Sequence, residues 1–245
     1  MASDSPKITL YWLNHSRSQR IIWLLEELKV PYEIEVFHRD KETLLAPKEL
    51  EKIHPLGKSP VIGIVPAGGD ASKPIILAES GFMTQYLVDH VPEGKKLVPK
   101  QWKDGKEGTI GGETEEWLRF RKTGLKSPQV PFLVRPITSI IANRIIAMFV
   151  YPNVKRHLAF LNDQLETSSG KYLCGESLTA ADILMSFPVI AGSGRFNELG
   201  HFEGGSWEKA YPRVAEYVKL LEAEDGYKRS VEKIEAIDGK FEASL

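Results

Sequence analysis

The sequence predicts a two-lobed protein, an α/β lobe of β-α-β-α-β-β-α order followed by an all-helical lobe. Up to Pro92, segments of strand-like alternation take turns with segments of helix-like spacing. From Pro92 to Gly112 the chain is rich in lysine, glycine and proline, which marks a connection between lobes. From Glu113 onward helical patterns dominate. A chain of 245 residues can bury two compact cores, so the expected domains are 6–92 and 106–240.

The elements follow in order. Ile8 to Leu13 is β-rich, and Ser16 to Lys29 carries Ile21, Leu24, Leu25 and Leu28 at helical spacing. Tyr32 to Phe37 alternates apolar with acidic residues, which completes a βαβ unit. Such crossovers are right-handed, so the two strands should be parallel neighbours with the helix on one sheet face. Pro31 marks the end of that helix. A short polar helix is expected near Lys48 to Ile53. Val61 to Val65 and Ile75 to Leu77 flank Pro66-Ala67-Gly68-Gly69-Asp70 and read as a hairpin. A helix from Ser80 to about Asp89 closes the thioredoxin-like order. In the second lobe the expected helices are Glu113 to Gly124, Ile137 to Glu166, Ala180 to Ile190 and Pro212 to Glu222. Pro152 should kink or divide the second of these. Leu178-Thr179-Ala180-Ala181-Asp182 has the form of a capping box, a folding device.

Composition excludes several classes of function. Lysine plus arginine, at 32, nearly balances aspartate plus glutamate, at 33, so there is no electrostatic footprint for nucleic acid or an anionic membrane. No apolar run approaches the roughly 20 residues needed to span a bilayer. The single cysteine, Cys174, excludes an internal disulfide and is expected to pack in the core. Met1 to Pro6 lacks a signal pattern, and Ala243-Ser244-Leu245 lacks the lysine of a peroxisomal ending, so a reducing, cytoplasmic setting is expected. His15, His38, His54, His90, His157 and His201 show no metal-ligand spacing, and no metal is expected.

Chemistry-bearing residues collect at the joints of the first lobe. Tyr11-Trp12-Leu13-Asn14-His15-Ser16-Arg17-Ser18-Gln19-Arg20 is where the first strand passes into the first helix. Thioredoxin-like folds place a redox cysteine pair there, whereas here Ser16 and Gln19 occupy it, so any reactive sulfur must come from a bound thiol. A free thiol has a pKa of about 8.5, and hydrogen-bond donors or a helix N-terminus lower it to roughly 3.5–7.5. Ser16 can donate to such a thiolate, or it can serve as the helix N-cap. Asn14 and His15 can likewise donate, or complete the turn by local hydrogen bonding. Arg20, a full turn inside the helix, is expected to pair with an acidic residue.

His54-Pro55-Leu56-Gly57-Lys58-Ser59-Pro60-Val61-Ile62 is a Pro-Gly turn feeding an apolar strand. With Ser59-Pro60 in cis, the Ser59 backbone would turn outward and pair with a peptide-like ligand. Lys58 can contact the same ligand's backbone or carboxylate, or be a surface lysine with no role. Leu77-Ala78-Glu79-Ser80-Gly81 opens a helix whose unpaired N–H groups can take a carboxylate, while Glu79 can take an ammonium. The alternative is an N-cap serine behind an exposed acid. A ligand with an ammonium and a carboxylate at one end and a peptide-linked thiol describes glutathione.

Together these residues resemble the cytosolic glutathione transferase family from Ile8 to about Lys233. Ser16, the Gly57-Lys58-Ser59-Pro60 turn, the Glu79-Ser80 pair and the box at Thr179 to Asp182 occur in the family's order. The opening, followed by Trp23-Leu24-Leu25-Glu26-Glu27-Leu28, looks closest to serine-dependent transferases of fungi and bacteria. The resemblance implies a glutathione-binding first lobe, a helical lobe lining an electrophile site, and a homodimer. It implies conjugation of glutathione to small hydrophobic electrophiles, with Ser16 and then Asn14 as thiolate donors and Lys58, Ser59, Pro60, Glu79 and Ser80 as glutathione contacts. Rival readings are glutathione-dependent peroxide or disulfide reduction, and glutathione binding for storage or regulation. Leu44-Leu45-Ala46-Pro47 stands where many serine-type members carry a histidine or lysine, which leaves the glycyl contact unassigned. Trp117, Phe120, Arg121 and Leu125 could wall an acceptor pocket, pack in the core or form a dimer contact. Arg119-Phe120-Arg121-Lys122 makes that wall basic, which suits a polar or anionic electrophile.

Overall fold

The computed structural model describes residues 6–98, 144, 146–168 and 170–241. In the first compact unit, β1 (Lys7–Leu13), β2 (Tyr32–Phe37), β3 (Val61–Val65) and β4 (Ile75–Ala78) form one sheet in the order β2-β1-β3-β4. β1 runs parallel to β2 and antiparallel to β3, and β3 is antiparallel to β4, as the βαβ and hairpin readings require. Register decides where function can sit. Leu13 lies opposite Phe37, Tyr11 opposite Val61, and Val61 opposite Ala78. The chain therefore leaves β1, leaves β2, enters β3 and leaves β4 at the same end of the sheet. The segments singled out around Asn14 to Ser16, Lys58 to Pro60 and Glu79 to Ser80 all fall there.

Helix α1 (Ser18–Leu28) connects β1 to β2, and Ile21, Ile22, Trp23, Leu24, Leu25 and Leu28 are all fully buried. Consecutive buried positions on a helix require cover on more than one side. After α2 (Glu49–Ile53) and α3 (Ser80–His90), the chain supplies that cover late, from helix Asp225–Asp238. The expected helices stop at Glu222, so this one was not anticipated. Its Lys228, Arg229, Glu232, Lys233 and Glu235 obscure a narrow buried stripe of Tyr227, Ser230 and Ile234. The stripe packs on α1: the Trp23 and Tyr227 rings meet edge to face at 5.5 Å. Gln19 Nε2 donates to Ser230 Oγ at 2.8 Å. Gly226 is required for the approach, because a Cβ there would fall 2.6 Å from the Trp23 ring.

Charge completes the joint. Glu26, with a side chain only 13% exposed, accepts from Lys233 at 2.6 Å, from Tyr32 Oη at 2.7 Å and from Arg229 Nε at 3.2 Å. Lys233 also lies over the Tyr32 ring, 4.4 Å from its centroid. Burial acts to raise the Glu26 carboxyl pKa, but the hydrogen bonds from Lys233, Tyr32 and Arg229 and the Lys233 charge outweigh it and hold the value below 4.5. A carboxyl lowered in the folded state stabilises fully above its unfolded pKa and loses that contribution as pH falls through the folded value. We expect Glu26→Gln to destabilise by about 1–3 kcal/mol at neutral pH. The gap from the parent should narrow below pH 4, which thermal unfolding across pH measures. A gap independent of pH would exclude the ion-pair explanation.

The first unit comprises the described residues up to Val98 with Thr179–Phe187 and the chain from Ala223. The second takes the described residues from 144 to Leu178 and Pro188–Glu222. There a π-helical stretch, Ile146–Val150, passes into α4 (Tyr151–Thr167) with Pro152 in its first turn. The expected division falls at this proline, which has no N–H to give to the turn before it. Val154, Leu158, Leu161 and Leu165 form the buried stripe of α4. α5 (Ala180–Ser193) starts in the first unit and continues into the second. It is followed by α6 (Phe196–Leu199), α7 (Trp207–Ala210) and α8 (Pro212–Ala223), with Asp225–Asp238 as α9. Phe202 meets the Tyr151 and Tyr211 rings edge to face, and Asn162 Oδ1 accepts from the Arg213 N–H at the start of α8. Cys174 is half-buried rather than in the core. The expected helix Glu113 to Gly124 and the first part of Ile137 to Glu166 lie outside the described residues.

Candidate functional site

The turn after β1 is held by serine hydroxyls. Ser16 Oγ donates to the Leu13 carbonyl at 2.6 Å, accepts from the Ser18 N–H at 3.2 Å, and sits 2.7 Å from Ser18 Oγ. Ser18 Oγ is in turn 2.8 Å from Ser59 Oγ, which donates to the Tyr11 carbonyl at 2.9 Å. Each hydroxyl has one proton. Those of Ser16 and Ser59 are directed at carbonyls, so Ser18 must supply the proton shared with one of its neighbours. Ser16 is 7% exposed and Ser18 is fully buried. Ser16 thus does the local work allowed for it in the sequence, receiving the first amide of α1, although the N-cap position itself is Arg17. Ser18, which was not singled out, is the hub that joins this turn to the turn before β3.

Asn14 is oriented differently. Its Oδ1 accepts from the Arg39 N–H at 2.8 Å, and its own N–H reaches the Phe37 carbonyl at 3.3 Å. A carboxamide whose oxygen faces an N–H presents its Nδ2 donors to the other side. His15, next in the chain, is exposed and takes a left-handed φ of 49°.

Ser59-Pro60 is cis, the condition set out for an outward-turned Ser59 backbone, and Pro60 is buried while Lys58 is exposed. Glu79 is exposed at φ 65° and ψ 112°, immediately before the first turn of α3. The first amides of that helix have no intrahelical acceptor. A Cβ on Gly81 would meet nothing within 4 Å, so this turn is open to a ligand.

Arg20 joins the Glu79-Ser80 turn to the rest. Its Nη2 donates to Ser80 Oγ at 2.6 Å and its Nη1 to the Leu184 carbonyl at 2.7 Å. These two oxygens, which sequence alone does not point to, tie its guanidinium to α5 and to the start of α3. Leu184 lies four residues before Pro188 inside α5. Proline has no N–H, so the Leu184 carbonyl lacks its helical donor and Arg20 fills the position. The capping box at the start of α5 is altered too. The buried Asp182 Oδ2 accepts from the Thr179 N–H at 2.8 Å, as expected, but the Thr179 hydroxyl donates to the same oxygen at 2.6 Å instead of capping an amide.

The structure therefore brings the candidates Ser16, Asn14, Lys58, Ser59, Pro60, Glu79 and Ser80 to one end of the sheet, and hydrogen bonds connect the turns that carry them; sequence reasoning named these residues without their common location. It missed Ser18, Arg39 and the Pro188 signal. Leu44 to Pro47 offers no charged contact, as read; Leu44 takes φ 59° in a loop closed by Asp40, whose Oδ1 accepts from the Thr43 N–H, the Thr43 hydroxyl and the Glu42 N–H. The hydrogen bonds from the Thr43 backbone and side chain hold the Asp40 carboxyl below its ordinary range. Trp117, Phe120, Arg121 and Leu125 lie outside the described residues. Among the described residues no histidine, cysteine, aspartate and glutamate side chains group as a metal site, and no helix is long and apolar enough to cross a membrane.

Residues 16–91 match the family model of the glutathione S-transferase N-terminal domain, and residues 149–220 that of its C-terminal domain. Glutathione S-transferase 1 of Saccharomyces cerevisiae is 30% identical over 249 residues, covering 96% of this chain and 99% of the yeast protein. The chain belongs to the glutathione S-transferase family. Among solved structures, a glutathione S-transferase from Actinobacillus pleuropneumoniae aligns with TM-score 0.61 at 26% identity, covering 92% of each chain. A glutathione transferase homologue from Lodderomyces elongisporus, solved with two GSH per subunit, shares the fold at TM-score 0.59 and 20% identity, covering 93% of this chain and 98% of its own. The transferase fold is thus the thioredoxin-like sheet followed by helices that the sequence predicts.

Proposed function

We propose that this glutathione transferase binds glutathione across the end of the sheet and attacks a small hydrophobic electrophile with its thiolate. The observation that carries the reading is the hydrogen-bonded path joining the turns: Ser16 to Ser18 to Ser59 on one side, and Arg20 to Ser80 on the other. Glu79 takes the γ-glutamyl ammonium, while Ser80 and the first amides of α3 take its carboxylate. The Ser59 backbone beside Pro60 pairs with the cysteinyl residue, and Lys58 reaches the ligand backbone or a carboxylate. That places the sulfur at the Asn14 to Ser16 turn.

There the hydrogen-bond directions favour Asn14 Nδ2 as the side-chain donor to the thiolate, with Ser16 holding the turn and the N-terminus of α1 adding positive potential. Family resemblance extends the proposal to a cytoplasmic homodimer whose helical lobe, 106–240, lines the electrophile site. Light scattering checks the dimer.

The test is an ultraviolet titration of bound glutathione in the parent, Asn14→Ala and Ser16→Ala proteins. The parent should show a thiol pKa below the free value, and Asn14→Ala should return it by about one unit, lowering turnover about tenfold near neutral pH. Ser16→Ala should lower stability and shift the thiol less. A thiol pKa that moves only in Ser16→Ala would return the donor role to Ser16. Binding without any depression would point to storage or regulation instead of conjugation.

A further inference from the structure

We propose that Arg39 is a positioning residue for thiol activation, acting through the Asn14-His15 turn. It stands just beyond β2, and its guanidinium grips backbone oxygens from two separate loops. Nε donates to the Asn14 carbonyl at 3.2 Å, Nη2 to the His15 carbonyl at 3.4 Å, and Nη1 to the Leu44 carbonyl at 3.2 Å. Its backbone N–H holds Asn14 Oδ1 at 2.8 Å. One residue thus fixes both the backbone of the turn and the rotation of the carboxamide within it.

The grip answers a mechanical need. His15 and Leu44 are both non-glycine residues at left-handed φ, 49° and 59°. Such residues are held there by their surroundings. Removing the Arg39 side chain leaves the carbonyls of Asn14, His15 and Leu44 without this donor and lets both loops relax. Lysine cannot replace it, because a single ammonium lacks the planar fork that reaches several oxygens at fixed angles. Leu44 belongs to the Leu44 to Pro47 stretch upstream of the Pro-Gly turn, so Arg39 also ties that loop to the thiol turn. Neither effect requires Arg39 to touch glutathione.

The proposal rests on Asn14 being the thiolate donor, and the experiment separates the two claims. Parent, Arg39→Met, Arg39→Lys, Asn14→Ala and the Asn14→Ala/Arg39→Met pair are compared by bound-thiol titration, by kcat and KM for glutathione against a chloronitrobenzene electrophile, and by thermal unfolding. Arg39→Met should raise the bound-thiol pKa by about half a unit to one unit and lower kcat about fivefold, with KM for glutathione within about threefold. Arg39→Lys should move in the same direction, and it carries the test if Arg39→Met does not fold. The double variant should be no worse than Asn14→Ala, because residues acting through one group are not additive. An unshifted thiol in Asn14→Ala would remove the donor reading and this proposal with it. A shift in Asn14→Ala with additive losses in the double variant would leave the donor in place and overturn the role of Arg39. A rise confined to KM, with the thiol pKa unmoved, would also overturn it and make Arg39 a ligand contact.

Discussion

Asp182→Ala is expected to lower the free energy of unfolding by about 3 kcal/mol. Asp182 is fully buried at the first turn of α5, and one of its oxygens receives both the N–H and the hydroxyl of Thr179. Truncation orphans both donors where water cannot replace the carboxylate, whereas Thr179→Ala removes one neutral donor and should cost about 1 kcal/mol. Asp182→Asn keeps one acceptor and belongs between them. Denaturant unfolding gives the ranking, and equal losses for Asp182→Ala and Thr179→Ala would show that the carboxylate is not the element being served. Glutathione turnover per folded molecule should change little, since this corner folds the protein rather than touching the ligand.

That corner shows how the sequence was legible and where it was not. Thr179-Ala180-Ala181-Asp182 could be read as a helix start because the spacing is local, but the direction of the threonine proton depends on how deeply Asp182 is buried, which spacing does not encode. The sheet was legible for the same reason: Ile8 to Leu13, Tyr32 to Phe37 and Val61 to Val65 each announce themselves by short apolar patterns. Helix Asp225–Asp238 was not, because its buried face needs only Tyr227, Ser230 and Ile234, and a small glycine at 226 does the rest. At the end of the sheet, residue types at the joints were enough to single out Glu79-Ser80 and Lys58-Ser59-Pro60 as candidates. The proposed choice of Asn14 over Ser16 rests on the directions of individual hydrogen bonds. Ser16 is the stronger candidate by type and position, yet its proton faces Leu13; Asn14 is ordinary in sequence, yet the Arg39 N–H turns its amide outward.

Arg20→Met is expected to raise KM for glutathione about tenfold while kcat falls less, together with a loss of about 2–4 kcal/mol in stability. The reason starts in α5. Pro188 cannot donate to the Leu184 carbonyl, so a helix that would otherwise satisfy its own backbone keeps one acceptor for a partner outside it. Arg20 takes that acceptor and, with its other terminal nitrogen, holds Ser80 Oγ. The position of the Glu79-Ser80 turn is therefore referred to a point on α5 through one planar group. Methionine fills much of the same volume without either bond, so the backbone before α3 loses its restraint and Leu184 is left with a bare carbonyl. Binding should suffer first because, in the proposed mode, Ser80 and Glu79 hold the end of glutathione away from the sulfur, an interaction made equally in the ground and transition states. Pro188→Ala supplies the check from the other side. By restoring an N–H in the helix it gives Leu184 a competing donor, so it should weaken the Arg20 contact and raise KM in the same direction, by a smaller factor, without creating a cavity at Arg20. A KM unchanged in both variants would show that the Glu79-Ser80 turn keeps its place without α5.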